Sequence, residues 1–271
     1  MFRVPGGVRG SEFGVLAGRC CLAALKAAAV IPARFAAQRL PGKPLLNETG
    51  KTLIQHVWEQ VRLARNVSRI LIATDDQRIF DAVKAFRGTP VMTRADHPSG
   101  TDRIAEVAAG LDEEIVVNVQ GDEPEVAPES IDQLVELART SGAPVATLAC
   151  DFAKANPADP AKVKVVRDLA GNALYFSRAL IPFPRGEGAV PLLHVGMYAY
   201  KREFLLKFPS LEPTRLEKTE KLEQLRVLEH GFKIAVGLTS PGPGGIDTPE
   251  DYKAFVKRYA DRCYGGSCAS G

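Results

Sequence analysis

Residues 115–124 read Ile-Val-Val-Asn-Val-Gln-Gly-Asp-Glu-Pro. The run 115–119 is apolar and β-branched except at Asn118, without the alternation of a half-exposed strand. It therefore predicts a strand buried on both faces, central in a parallel sheet. Gln120 to Pro124 is loop chemistry at the carboxyl end of that strand, with Gly121 beside two carboxylates.

The same rhythm extends outward on both sides. Upstream, Ala27–Ile31 is a short apolar run that Pro32 ends, and Arg69–Thr74 is another; both predict buried strands. Between them Leu53, Ile54, Val57, Trp58, Val61 and Ala64 recur at helical spacing. A helix around 78–86, a short strand over 90–93 and a helix over 101–111 lead into the central run. Downstream, Pro128 opens a helix to Thr140, and Val145–Cys150 predicts a fifth strand. Strands alternating with helices of this length imply right-handed βαβ units and a three-layer α/β/α sandwich, Rossmann-like, with a mostly parallel sheet.

After Cys150 the long helices disappear. Runs at 163–167, 173–176 and 195–200 are strand-like, and Asp168 to Asn172 predicts the turn of a hairpin. Residues 151–211 thus predict an antiparallel, β-rich inserted lobe. The α/β pattern resumes with a helix over 219–229, a strand over 232–238 and a closing helix over 248–260. The division expected is a core of 27–150 and 212–260, the lobe, an extension over 1–26 and a tail over 261–271.

Composition narrows the partners. With 35 basic and 32 acidic residues the net charge is +3, and no long single-sign run is present, which argues against nucleic acid. The apolar stretch from Gly14 to Ile31 is broken by Arg19 and Lys26, which argues against membrane insertion. Residues 1–25, basic and nearly free of acids, read as a disordered extension or an over-called start rather than a targeting signal. The five cysteines show no C-x2-C spacing, and a chain of 271 residues needs no disulfide staples, so a cytoplasmic setting is expected.

Three loops at carboxyl ends of predicted strands carry chemistry, which is where an open α/β sheet binds ligands. The first, residues 32–44, sets Arg34, Arg39 and Lys43 among Pro41, Gly42 and Pro44. Guanidinium forks and an ammonium suit the oxygens of a nucleoside triphosphate. The motifs GxxxxGK(S/T) and GxGxxG are absent, which lowers the case for an ATPase or a dinucleotide-dependent dehydrogenase. The second loop holds Asp122 and the third, 244–250, holds Asp247. Each aspartate alone could be a turn former or helix cap. As a pair at the ends of different strands they can meet over one hard cation, with phosphates completing its shell, as nucleotidyl transfer requires.

Ordered blocks then identify a resemblance. VIPAR (30–34), RLPGKPL (39–45), ATDD (73–76), TRADHPSGTDR (93–103), VNVQGDEP (117–124), YFSR (175–178), HVGMYAY (194–200), EKLEQLR (220–226) and GIDTPEDY (245–252) resemble the CMP-KDO synthetases, the 3-deoxy-manno-octulosonate cytidylyltransferases, from about Ala27 to Ala260. The resemblance implies a nucleotidyltransferase core with a β-rich lobe that makes a homodimer. It implies CTP and KDO (3-deoxy-manno-octulosonate) as substrates, Mg2+ as cofactor, and a place in lipopolysaccharide or related polysaccharide synthesis. By residue it implies that Arg34, Arg39 and Lys43 meet the CTP phosphates, with Arg39 and Lys43 catalytic. Thr74, Asp75, Ser99, Gly100 and Thr101 would form the nucleoside pocket, with Arg103 near the reacting groups. Asp122 and Asp247 would be the catalytic magnesium ligands. Gln120, Arg178, His194, Tyr198, Glu223 and Gln224 would meet the sugar acid, Arg178 through its carboxylate.

Read from spacing alone, Glu223 falls on a charged helix face, and His194 could be a hydrogen-bonded core histidine. The 8-amino analogue of KDO, a sialic acid, a sugar-1-phosphate nucleotidyl transfer, and an inactive nucleotide-binding homologue are the rival expectations. Residues 1–26, the cysteine-bearing tail and the short stretch 186–193 stand outside the family pattern.

Overall fold

In a computed structural model that describes residues 26–36, 40–152, 156–186 and 190–265, the chain alternates as the apolar periodicities require. In order come β1 (Ala27–Ala33), α1 (Leu53–Val61), β2 (Arg69–Thr74), α2 (Gln77–Ala85), β3 (Pro90–Met92), α3 (Gly100–Ala108), β4 (Ile115–Asn118), α4 (Pro128–Thr140) and β5 (Val145–Asp151). Then follow β6 (Lys164–Arg167), β7 (Ala173–Ser177), β8 (Leu192–Lys201), α5 (Arg202–Lys207), α6 (Arg215–Glu220), α7 (Gln224–Glu229), β9 (Ile234–Leu238) and α8 (Pro249–Gly265).

The strands form one sheet of order β3-β2-β1-β4-β8-β5-β9, with β6 and β7 attached off this path along β8. β1 to β4 are mutually parallel, in register Ala28↔Arg69 and Ala27↔Ile115. All four residues of β4 are buried, as an unalternating apolar run demands. Alternate residues of β1 feed opposite faces. Ala27, Ala29 and Ile31 pack with Ile54 and Val57 of α1, Ile79 of α2 and Leu134 of α4. Ala28 and Val30 pack with Ile104 of α3, Leu205 of α5 and Leu225 of α7. Each buried Ile, Leu or Val side chain contributes about 1.5–3 kcal/mol, so the two faces together make the three-layer sandwich. α8 joins through a smaller cluster of Leu53, Ile246, Tyr252 and Phe255. His56, without functional support in the sequence, packs edge-on between Phe255 and Tyr259.

Four departures from the sequence pattern have physical causes. Pro32 does not end β1 but pairs with Ala73 inside it. The partner on the other side, β4, stops pairing at Val30↔Asn118, so no ladder bond is lost to the missing N–H. The strand expected in the inserted lobe, β8, lies in the centre of the core sheet, antiparallel to both β4 and β5. Only the β6–β7 hairpin stands off that path, its turn closed by the Asp168 N–H to the Asn172 carbonyl at 2.8 Å. The helix expected over 219–229 is two short helices, because Lys221 takes a left-handed conformation (φ 56°) after α6. α8 begins near the expected point but runs to Gly265. No helix among the described residues is long and apolar enough to cross a membrane.

Candidate active site

Two close backbone approaches build the site. Gly42 has φ 68°, and a Cβ there would meet the Phe35 ring at 3.2 Å. Phe35 in turn lies under the Arg78 guanidinium, 3.3 Å from its ring centroid. Gly42 N–H donates to the Phe35 carbonyl at 3.0 Å, and a single 3-10 turn starts at Lys43, whose side chain reaches the loop after β4. At that end Gly121 passes so close to the Pro32 carbonyl that a Cβ would stand 2.6 Å from it. The loop carrying Asp122 is thereby pressed onto the loop that follows β1.

The three loops meet at Lys43. Its ammonium donates to Asp122 Oδ2 at 2.6 Å and to the Ile246 carbonyl at 2.7 Å, and lies 3.6 Å from Asp247 Oδ1. Neither aspartate serves as a helix cap. The N-cap of α4 is Ala127, with no side-chain bond. The start of α8 is capped by Thr248, whose Oγ1 accepts from Asp251 N–H, while Asp251 Oδ2 accepts from the Asp247 and Thr248 N–H groups. Two carboxylates from distant loops thus converge on one ammonium group.

On the other side of β1, Arg34 Nη2 donates to the carbonyls of His97 (3.1 Å) and Ser99 (2.9 Å), tying the first loop to the one before α3. Ser99 caps α3, accepting from Asp102 N–H and donating to Asp102 Oδ2. Gly100 and Thr101 form the first turn of α3. Thr74 is buried, and its Oγ1 accepts from Asp76 N–H. Arg103, expected near the reacting groups, is fully buried: it donates to Asp75 Oδ2 at 2.9 Å and to Thr93 Oγ1, tying α3 to the ends of β2 and β3, and with Thr74 and Asp75 it lines neither of the two cavities described below. The cause is its place on the inner face of α3, above Thr93. Arg39 lies outside the described residues.

Gln120 divides two cavities, its Nε2 donating to the Gly196 carbonyl at 3.1 Å. One, of about 250 Å³, is lined by Thr101, Gln120, Tyr198, Glu223 and Gln224 among others. The other, of about 800 Å³, is lined by Gln120, Asp122, Glu123, Lys162, His194 and Asp247 among others. The break at Lys221 takes Glu223 off the solvated helix face that the sequence predicts and turns it into the smaller cavity. There burial pushes its carboxyl up, against hydrogen bonds from Thr101 and Ser99.

Arg178 lines neither cavity. Its guanidinium donates to the carbonyls of Glu220 (2.8 Å), Pro160 (3.1 Å) and Lys221 (3.5 Å), joining the end of β7 to the α6–α7 turn. Glu220 reinforces that join, accepting from Ser177 Oγ and from Arg178 N–H.

His194 packs against Phe176 and Tyr198 and places Nε2 3.0 Å from Thr147 Oγ1. The Thr147 hydroxyl has one proton, directed to main-chain carbonyls, nearest that of Met197 at 2.8 Å. The proton on this contact is therefore on His194 Nε2, leaving Nδ1 as an acceptor. The ring is half-buried at the edge of the larger cavity, and desolvation by the groups packed on it pushes the imidazole pKa down to about 3. As pH falls the unfolded chain binds this proton first, so the fold loses stability from about pH 6.5 down to about 3 and gains nothing above 6.5. The expected NMR result is a His194 ring that does not titrate between about pH 8 and 5; a midpoint near the ordinary value of about 6.5 would show that water in the cavity solvates the ring fully.

Glu123, the second carboxylate of the 120–124 loop, has no role assigned by the sequence pattern. Burial, with the Asp122 charge beside it, pushes Glu123 up to about 7. Its side chain is half-buried in the lining of the larger cavity, close to Gly245, where a Cβ would stand 3.6 Å from Glu123 Cγ.

Comparison with known proteins agrees with this geometry. The cytidylyltransferase family model matches residues 28–234. The 3-deoxy-manno-octulosonate cytidylyltransferase of Syntrophotalea carbinolica is 48% identical over 235 residues, 82% of this chain and 94% of the relative. The 8-amino-3,8-dideoxy-manno-octulosonate cytidylyltransferase of Shewanella sediminis is 47% identical over 238 residues, 85% of this chain and 97% of the relative. A solved structure of CMP:2-keto-3-deoxy-manno-octonic acid synthetase complexed with CTP superposes with a TM-score of 0.85 at 43% identity, covering 88% of this chain and 99% of the other. With its family model spanning most of the core and relatives of nearly half identity along their whole length, the chain belongs to the 3-deoxy-manno-octulosonate cytidylyltransferase family.

Proposed function

We propose that this protein transfers the cytidylyl group of CTP to the anomeric hydroxyl of 3-deoxy-manno-octulosonate, giving CMP-KDO and pyrophosphate, with Mg2+ held by Asp122 and Asp247. The observation that carries it is the convergence of Asp122 and Asp247 on the Lys43 ammonium beside two cavities that share Gln120. Two carboxylates with room for phosphate oxygens suit magnesium, which prefers few protein ligands. When bound, that ion would neutralise phosphate charge and lower the pKa of the attacking hydroxyl.

The rest of the work falls to side chains. Lys43 and Arg34, at the mouth of the first loop, offset the charge of the triphosphate, as Arg39 in the same loop would. Thr74, Asp75 and the first turn of α3 form the wall for the nucleoside, and the N-terminus of α3 favours an anion. Gln120, Tyr198, Glu223, Gln224 and His194 offer donors and acceptors to a polyhydroxylated acid. The anomeric oxygen attacks the α-phosphorus in line as the bond to the β-phosphate breaks, and pyrophosphate leaves. The hydroxyl proton passes to water. We further propose a cytoplasmic homodimer acting in lipopolysaccharide or related KDO-polysaccharide synthesis.

The test is magnesium-dependent pyrophosphate release from CTP with KDO, its 8-amino analogue and a sialic acid side by side. Fastest turnover with CTP and KDO is expected. Preference for the amino sugar would move the reading to the chemistry named for the Shewanella relative, and no release with any acid would leave a nucleotide-binding homologue.

A further inference from the structure

Asp247 stands at the start of α8, so its position depends on how that helix lies against the loop that carries Asp122. The start of the helix is held by Lys43 to the Ile246 carbonyl, by Ile246 N–H to the Asp122 carbonyl at 2.9 Å, and by Glu48 N–H to the Tyr252 hydroxyl at 2.8 Å. The rest packs through apolar groups, which set its orientation only within a scatter of some degrees.

Farther along the helix, a polar attachment sets it more narrowly. Glu125, in the Asp122 loop, has a side chain only 7% exposed. Its Oε2 accepts from Arg258 Nε (2.9 Å) and Nη2 (2.5 Å), and its Oε1 accepts from Arg262 Nη2 (2.6 Å). Arg258 and Arg262 lie one turn apart on α8, and their side chains are 43% and 59% exposed. The buried carboxylate is therefore the fixed point and the two guanidinium groups reach in to it. Arg258 sits about 13 Å along the axis from Pro249, at 1.5 Å per residue. Two attachments that far apart fix the direction of a helix, where one at its start leaves a pivot. Bidentate arginine–carboxylate geometry is directional, unlike the apolar contacts around it.

We propose that Glu125, with Arg258 and Arg262, is a positioning residue that sets the separation of Asp122 and Asp247 and through it the affinity for the divalent ion. The inference rests on the reading of those two aspartates as the metal ligands. Glu125 lines the larger cavity beside Asp122, but its carboxylate is engaged by Arg258 and Arg262 rather than by Lys43.

The test uses the full chain with saturating CTP and Mn2+ as the probe, the free ion being counted by electron paramagnetic resonance. Asp122→Asn serves as the reference for a lost ligand. Glu125→Gln is expected to weaken Mn2+ binding about tenfold, the scale seen when a group supporting a metal ligand is removed. CTP affinity without metal should stay unchanged. Arg258→Gln should shift Mn2+ binding in the same direction by less, and the double variant should match Glu125→Gln alone because the two act as one unit. A purely structural clamp would lower Tm in both variants and leave the Mn2+ affinity alone, and that result overturns the proposal. Should Glu125→Gln fail to fold, Arg258→Gln still decides, because Arg262 remains to neutralise Glu125. Unchanged Mn2+ affinity in Asp122→Asn would overturn the metal reading itself, and this inference with it.

Discussion

Asp122→Asn should keep the fold and lose turnover by about a hundredfold or more, the scale seen when one preorganised group facing developing charge is removed. The side chain is 30% exposed and its ion-pair partner among the described residues is Lys43, so the amide can be accommodated with little strain. Lys43 keeps the Ile246 carbonyl and Asp247, which holds the loops together. What is lost is a negative charge at the point where two carboxylates converge. In the proposed reaction that charge holds the divalent ion against the triphosphate, so the loss should fall on kcat and on the metal requirement together. Pyrophosphate release at varied Mg2+ measures both. Near-normal release at ordinary Mg2+ would remove Asp122 from the mechanism.

The second large effect is on stability. Arg103→Met should destabilise the protein by about 3 kcal/mol, the low end for breaking a buried ion pair. The guanidinium has no exposed surface, and its loss leaves Asp75 and Thr93 without their donor. The low end applies because Asp75 is 19% exposed and water can reach it in part. Arg103 Nε is also buried with no hydrogen-bond partner among the described residues, so the native brace is not perfectly satisfied. A fall in Tm of about 6 °C or more is expected for a chain of this size. Because Arg103 holds Asp75, which is proposed above to meet the nucleoside, KM for CTP should rise more than KM for the sugar acid. An unchanged Tm would show that Met fills the space as well as the ion pair does.

The two predictions differ in how far the sequence foretells them. Asp122 lies in a loop that the apolar run over 115–119 locates by itself, since an unbroken β-branched segment makes a buried strand and ligand chemistry gathers at its end. Arg103 reads as one more cation near a phosphate site. Only the packing of α3 shows that its charge is used within the fold, on Asp75. Arg178 is a similar case, since its partners are carbonyls at 160, 220 and 221 that no pattern around 178 announces.

The sequence by itself determined the local elements, the three-layer class and the three loops that carry Arg34, Lys43, Asp122 and Asp247. These follow from periodicities of 2 and 3.6 residues and from proline and glycine placement, which act over a few neighbours. The tertiary structure alone decided that β8 enters the core sheet between β4 and β5, since an edge finds its partner by register across the whole chain. It decided that the chain breaks at Lys221, where no glycine or proline marks the turn, and so placed Glu223 in a cavity. It also decided that Lys43 meets Asp122 across 79 residues and the Ile246 carbonyl across 203. Contacts at such separation depend on how the layers pack, a property that no local pattern encodes.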